Sequence, residues 1–127
     1  MSPELRGYLS AILFSECAWW KVPPGAPHAP PLDKFYSVED FTPDFIAEAA
    51  ETVDAFLDAN VDMLQVANLE RSTVGACIWW SRNGHGTGFW DRARQWDPEA
   101  LACGMLHDAA KALGSCDVSP DMFTDSE

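Results

Sequence analysis

The sequence predicts an α+β fold in which about three helices pack against a small antiparallel sheet, built around a β-hairpin at residues 76–92. The helices are indicated by three pairs of a capping residue and a proline, each followed by apolar residues at helical spacing. The hairpin is indicated by the aromatic and β-branched residues 77–80, which favour a strand, and by Asn83-Gly84, which favours a tight turn. Helices combined with such a hairpin predict the α+β class.

The first helix is predicted to begin after Ser2, with Pro3 at its first position, and to run to about Cys17. Its apolar residues recur every three or four positions: Leu5, Tyr8, Leu9, Ile12 and Leu13. The following segment, residues 21–34, contains five prolines. Because proline interrupts both helices and central strands, we expect this segment to be extended on the surface.

The second helix is predicted to begin at Thr42-Pro43 and to run to about Asn60, or onward through Leu64. Its apolar stripe consists of Phe45, Ile46, Ala49, Val53, Phe56 and Leu57. The third helix is predicted from Asp97-Pro98 to Gly114, a glycine suited to a helix C-terminus.

The tail after the third helix offers two alternatives. It can add a short strand near Asp117-Val118, or it can fray over residues 119–127. With no internal repeat and one biased segment, residues 1–127 are expected to form a single domain.

Charge and cysteine content limit the classes of function. The formal net charge is −12 and the isoelectric point is near 4.4, so direct binding to nucleic acid or to an anionic membrane is not expected. No apolar stretch approaches the roughly 18 residues that span a membrane, and no signal peptide is recognised. The four cysteines form no CxxC pair, which fits a reducing compartment. We therefore expect a cytoplasmic protein with no cofactor.

The second helix carries the strongest electrostatic signal. Its acidic residues recur at steps of three and four: Asp44, Glu48, Glu51, Asp54, Asp58 and Asp62. No Lys or Arg occurs between Lys34 and Arg71. In one continuous helix the six carboxylates would span about 27 Å, a spacing comparable to that of DNA phosphates. This favours a surface that occupies a basic groove of a nucleic-acid-handling protein; the alternative is a solvated helix face.

The predicted hairpin loop is a second candidate site. Gly84, Gly86 and Gly88 alternate around His85. Backbone N–H groups of such a loop can bind an anion, and a ligand or partner would then contact Arg82, Asn83, His85 and Arg92. No helix is predicted directly after the glycines, which excludes phosphate-binding and dinucleotide-binding loops. The alternative is that the glycines serve turn geometry and the charged residues pair across strands.

Metal binding and nucleophilic catalysis have weaker support. Cys103 and His107 are four residues apart on one helix face. Cys77, Cys116 or His85 could supply the further ligands of a tetrahedral metal site. No zinc-binding spacing is present, so we expect a small buried cysteine rather than a metal ligand. No pattern links a Cys or Ser to a base, and no catalytic residue is assigned.

Adjacent tryptophans indicate exposed aromatic surface. Trp79 and Trp80, if they lie in a strand, point to opposite faces of the sheet. Trp19 and Trp20, which follow the first helix, are also adjacent, and we expect them to point in different directions as well. A tryptophan left exposed would be a candidate for an interface.

Residues 81–92, Ser-Arg-Asn-Gly-His-Gly-Thr-Gly-Phe-Trp-Asp-Arg, resemble a motif of small uncharacterised proteins of bacteriophages and prophages, written RNGHGxGFWDR. The resemblance extends to residues 31–40 and 106–114 and covers most of the chain. The chain departs from it at Ala76 and Cys77, where a His-Asp pair is frequent, and in a tail without the usual glycine-containing strand. The resemblance implies a phage-type origin and brings no activity with it.

Together these observations predict a non-enzymatic phage-type accessory protein that binds a host protein with a basic surface in the host cytoplasm. That partner would be nucleic-acid-binding if the protein is an acidic DNA mimic that inhibits a host defence component, in the manner of anti-CRISPR or anti-restriction proteins. Two alternatives remain open: a ligand-binding module or weak hydrolase at the hairpin, and an assembly protein that self-associates through aromatic side chains. The oligomeric state is not predicted.

Overall fold

The computed structural model describes residues 1–23, 25–85, 88–89 and 98–124. Over these residues the chain forms five α-helices: α1 (Pro3–Ser15), α2 (Pro43–Ala59), α3 (Val61–Ala67), α4 (Arg71–Arg82) and α5 (Pro98–Lys111). Short 3₁₀ turns occur at Trp19–Lys21, Leu32–Lys34, Val38–Asp40 and Pro120–Met122. None of the described helices has the length and apolar character needed to cross a membrane.

The α+β prediction is wrong, because the described part of the chain contains helices and no β-strand. Its only strand-like pairings are two isolated bridges, Cys17 with Pro31 and Phe41 with Phe123. Residues 77–80, predicted as a strand, lie inside α4. A short apolar run suits a buried helix as well as a buried strand, since both exclude water on several sides.

The Asn83-Gly84 pair ends α4 instead of turning a hairpin. Gly84 has a φ of +70°, its N–H donates to the Ser81 carbonyl at 3.3 Å, and the His85 N–H donates to the Trp80 carbonyl at 3.1 Å. These two bonds form the Schellman cap of a helix. A hairpin turn and this helix cap both need a residue at positive φ. The Asn-Gly pair is therefore compatible with either, and here it ends a helix. Of the hairpin predicted at residues 76–92, residues 86, 87 and 90–92 lie outside the described residues.

The predicted helix starts are confirmed at the residue level. Ser2 Oγ accepts the Leu5 N–H at 3.1 Å and Thr42 Oγ1 accepts the Phe45 N–H at 3.1 Å, each with a proline at the next position. These bonds satisfy donors that the first turn leaves without a helical partner. The third helix begins at Pro98 as predicted, although its cap residue lies outside the described part.

Helices α1 and α4 form the central packing unit, and they touch through their backbones. A Cβ atom on Gly75 would lie 1.7 Å from the Glu4 carbonyl oxygen, and one on Gly7 would lie 2.0 Å from the Ser72 carbonyl oxygen. Only glycine fits at this crossing. Farther along the pair, the Tyr8 and Trp79 rings meet edge to face with centroids 5.6 Å apart.

The proline-rich segment is held against the end of α1. The Ala18 N–H donates to the Pro30 carbonyl at 2.8 Å and the Leu32 N–H donates to the Glu16 carbonyl at 2.9 Å. Between Val22 and Pro31 the described residues form no α-helix, in line with the prolines they contain. The 3₁₀ turn at Leu32–Lys34 then leads the chain toward α2.

The tail is packed as far as Thr124, whereas the sequence allowed it to fray or to form a strand. Phe123 is fully buried, and its ring stacks on Tyr36 with centroids 3.9 Å apart and on Phe41 with centroids 4.7 Å apart. The Thr124 N–H donates to the Asp40 carbonyl at 2.8 Å. The end of the described chain therefore closes the core beneath the start of α2.

Candidate functional site

The acidic residues predicted as a partner-binding stripe are all exposed, and they lie on two helices instead of one. Helix α2 ends at Ala59, and Asn60, with φ −123° and ψ 21°, separates it from α3. Of the two predicted ends of this helix, about Asn60 agrees with the structure, and the continuation of one helix through Leu64 does not. We call the six residues the acidic face: Asp44, Glu48, Glu51, Asp54 and Asp58 on α2, with Asp62 on α3.

The α2 part of the acidic face is a continuous strip of charge. At 3.6 residues per turn its five carboxylates lie within an arc of about 120°, and they span about 21 Å along the axis. Ala49, Val53 and Phe56 on the opposite side of α2 are buried. In the described part of the chain an ion pair joins Glu4 to Arg71, and the Glu16 carboxylate contacts the His85 imidazole, so neither interaction compensates the acidic face.

Arg82, a candidate from the predicted hairpin, holds the C-terminal end of α5. Its Nε donates to the Gly114 carbonyl at 2.8 Å, its Nη2 to the Leu113 carbonyl at 3.3 Å, and its Nη1 to the Tyr8 hydroxyl at 3.0 Å. The guanidinium supplies donors to two carbonyls of the turn that follows α5. Arg82 therefore joins α1, α4 and the residues after α5.

Asn83, the second hairpin candidate, is also bonded within the chain. Its Oδ1 accepts the Cys116 N–H at 2.7 Å and its Nδ2 donates to the Trp79 carbonyl at 2.9 Å. Burial raises the pKa of the neighbouring Cys116 thiol, which keeps the sulfur protonated at neutral pH and makes it a poor nucleophile. Arg92, the remaining charged candidate, lies outside the described residues.

His85, the third hairpin candidate, is half-buried like Arg82 and Asn83 and contacts a carboxylate. Its Nε2 lies 2.6 Å from Glu16 Oε2, and the same oxygen accepts the Trp79 Nε1–H at 3.0 Å. Next to this pair the Trp80 Nε1–H donates to Ser15 Oγ. A carboxylate that orients an imidazole also occurs in hydrolases, but the described residues supply no nucleophile at the other ring nitrogen. The bonds from Trp79, Trp80 and His85 to Ser15 and Glu16 join the end of α4 to the end of α1.

A serine-histidine contact between α4 and α5 was not predicted from the sequence. Ser81 Oγ lies 3.1 Å from His107 Nδ1 and accepts the Phe89 N–H at 3.1 Å. Ser81 is fully buried, so its hydroxyl is closed to a substrate. The bond from the Phe89 N–H to Ser81 Oγ holds Phe89 against α4. No regular spacing connects Ser81 with His107, so no sequence signal was available to find it.

Two of the cysteines that the sequence analysis considered and rejected as metal ligands lie in the core. Cys77 and Cys103 are buried, and His107 contacts Ser81 as described above. In the described ranges, three His, Cys, Asp or Glu side chains nowhere converge in a way that would hold a metal ion.

A groove of about 870 Å³ runs between α1, α4 and residues 33–39. Its floor is apolar and includes Gly7, Ala11, Leu13, Tyr36, Val38 and Ala76. Phe14 stands at its edge with 72% of its surface exposed, and the half-buried Trp80 also lines it. The sequence did not predict this groove, because the depression depends on how α1, α4 and the 33–39 segment meet.

Comparison of the chain with family models, with curated proteins and with solved structures gave no match. The resemblance of residues 81–92 to small phage and prophage proteins therefore stays an expectation from the sequence. Function is inferred from the charges and packing of the described residues.

Proposed function

We propose that this protein is a non-enzymatic accessory protein that binds a basic surface of a partner protein through its acidic face. One observation carries the proposal: the six carboxylates of the acidic face are exposed, and five of them follow one side of α2 without a compensating base in the described part of the chain. A partner that brings Lys and Arg side chains to this strip relieves the repulsion between the carboxylates.

The arrangement of charge has an energetic cost in the free protein. Like charges four residues apart on a helix destabilise it by a few tenths of a kcal/mol per pair. Glu48 follows Asp44, and Asp58 follows Asp54, at this spacing. A basic partner surface converts these repulsions into attractions and accelerates association at low ionic strength. The spacing of about 5 Å per carboxylate fits a surface shaped to bind phosphates.

The state of the other candidate groups also supports a binding role over catalysis. Arg82 and Asn83 are engaged with backbone groups of the chain, and the Ser81 hydroxyl is buried. An enzyme needs a nucleophile or acid-base pair that reaches its substrate. The exposed chemistry of the described surface is instead dominated by carboxylates.

The test begins with a pull-down from a lysate of the source cells at low and high salt, with mass spectrometry of the eluted proteins. The captured protein is then purified and its affinity measured by calorimetry against wild type and two double variants. Asp54→Lys/Asp58→Lys reverses the acidic face, while Asp108→Lys/Asp117→Lys changes the net charge equally at exposed positions outside it. Circular dichroism checks that both variants are folded.

We expect the acidic-face variant to lose at least about tenfold in affinity and the control variant to lose much less, because close charge pairs dominate over net charge. Affinity of wild type should fall steeply with salt. Equal losses in both variants, or an unchanged affinity in the acidic-face variant, would rule out the proposed binding surface.

A further inference from the structure

The groove between α1, α4 and residues 33–39 has the features of an interface centre. Phe14 is the most exposed of the large apolar side chains in the described part of the chain, at 72%. Trp80 and Tyr36 line the same groove. Aromatic side chains in such depressions contribute much of the affinity at protein interfaces, because a partner removes a large apolar area from water.

The rim of the groove adds charge to this apolar surface. Asp33 and Glu39 line it and are exposed, and Arg6 is its basic side chain. Hydrogen bonds from its own backbone N–H and from the Ser37 side chain, with a smaller contribution from the charge of Arg6, hold the pKa of Glu39 below its ordinary value. Glu39 is therefore ionised at neutral pH, and the carboxylates of the rim outnumber its one base.

The groove and the acidic face are connected by a short stretch of chain. Glu39 precedes Asp44, the first acidic residue of α2, by five positions, which limits their separation to about 18 Å even for an extended chain. One partner can therefore contact both surfaces. A second copy of this chain is disfavoured as the occupant, because each copy carries a formal net charge of −12.

We propose that the groove binds a short cationic segment of the partner, which places apolar side chains against Phe14 and Trp80 and a Lys or Arg beside Asp33 and Glu39. This inference rests on the proposed function and specifies the chemistry of its partner: basic residues interspersed with apolar ones. Phe14 lines the groove and has 72% of its surface exposed, so a chain segment in solution can reach its ring.

Three fluorescein-labelled peptides of about 12 residues test the proposal by fluorescence anisotropy with the full-length protein. One contains Lys and Leu in an amphipathic pattern, the second replaces every Leu by Ser at the same charge, and the third replaces every Lys by Glu. We expect the Lys/Leu peptide to bind at least about tenfold more tightly than the Lys/Ser peptide, and the Glu/Leu peptide not to bind.

Matched variants locate the binding site. Phe14→Ser removes the exposed ring of the groove, while Leu101→Ser removes an apolar side chain of similar exposure, 71%, on α5. Glu39→Lys reverses a rim charge, while Asp108→Lys makes the same change on α5. We expect Phe14→Ser and Glu39→Lys each to weaken the Lys/Leu peptide several-fold, and the two α5 variants to match wild type. Since all four side chains are exposed, the variants should fold.

Several results would overturn the inference. These are equal binding of the Lys/Leu and Lys/Ser peptides, equal effects of Phe14→Ser and Leu101→Ser, or light scattering that shows a dimer which Phe14→Ser dissociates. In the last case a second copy is the occupant. Each outcome leaves the calorimetric comparison of the acidic-face variants untouched, so a failure of the groove and a failure of the proposed function can be distinguished.

Discussion

Single polar side chains in this protein act mainly by joining the ends of helices. Glu16, just after α1, accepts bonds from His85 and Trp79, and Arg82 reaches the carbonyls that follow α5. Each of these residues lies within a turn of a helix end, where backbone groups lack helical partners. Arg82 and His85, which the sequence suggested as ligand-binding residues, thus connect helix ends in the folded chain.

Glu4 provides a pH-dependent prediction at the residue scale. The hydrogen bond from Arg71 Nε to Glu4 Oε2, at 2.9 Å, holds the pKa of Glu4 below its ordinary value despite burial. A lowered folded-state pKa means that the stabilisation is present above the unfolded pKa and is lost as the pH falls through the folded one. Because Arg71 is largely exposed, the effect should not exceed about 1 kcal/mol.

We therefore expect Glu4→Gln to lower the free energy of unfolding at pH 7, and the deficit to shrink as the pH falls through the folded-state pKa of Glu4, where the wild-type carboxyl also becomes protonated. Urea unfolding at several pH values measures the difference. Glu51→Gln is the control: Glu51 lies on the acidic face, and loss of its charge should leave stability unchanged or slightly higher. A Glu4→Gln deficit that does not change with pH would contradict this origin of the effect.

At the scale of elements, the crossing of α1 and α4 depends on two glycines. Glycine lowers helix propensity, so its presence inside both helices is unfavourable when each helix is considered alone. A Cβ atom on Gly75 would lie 1.7 Å from the Glu4 carbonyl oxygen, so any other residue here would overlap the backbone of α1. This overlap outweighs the loss of helix propensity at glycine. With larger residues the two backbones would have to separate, and the groove floor between them would change shape.

Two alanine substitutions distinguish the packing role from propensity. Gly75→Ala should destabilise the protein by about 1–3 kcal/mol, because the added methyl group overlaps the backbone of α1. Gly104→Ala in α5 should stabilise it by about 0.5–1 kcal/mol, because a Cβ there meets no atom within 4 Å. Thermal and urea unfolding of both variants give the comparison. A stabilised Gly75→Ala protein would show that the two helices are not in backbone contact.

At the scale of the whole molecule, an aromatic cluster connects segments that are distant in sequence. Phe123 stacks on Tyr36 and Phe41, and Trp20 lies 6.0 Å from Phe123 between ring centroids. The cluster brings the described end of the chain against the segment that lines the groove and leads into α2. It therefore fixes the relative positions of the two surfaces proposed to bind one partner.

Phe123→Ala is expected to lower the free energy of unfolding by about 3–5 kcal/mol, because a fully buried ring leaves a cavity. Phe14→Ala is the matched control: with 72% of its surface exposed, Phe14 should contribute less than about 0.5 kcal/mol. Guanidinium unfolding of both variants tests the difference. If Phe123→Ala is as mild as Phe14→Ala, the tail does not close the core.

Local features of this protein are determined by the sequence. Ser2 and Thr42 followed by proline start helices, because cap and proline act on the first turn alone. The exposure of the acidic face also follows from local pattern, since α2 presents its apolar stripe to the core and its carboxylates to water. The positive φ of Gly84 is likewise a local property, since an Asn-Gly pair favours that conformation in either a turn or a helix cap.

The tertiary structure decided the features that depend on distant neighbours. Residues 77–80 are helical because α1 and α5 surround α4, and an apolar run can satisfy that environment as a helix or as a strand. The groove, the Gly7 and Gly75 contacts, and the Ser81–His107 bond arise where separate segments meet. Capping and periodicity act over a few residues, whereas packing selects among the structures that they leave open.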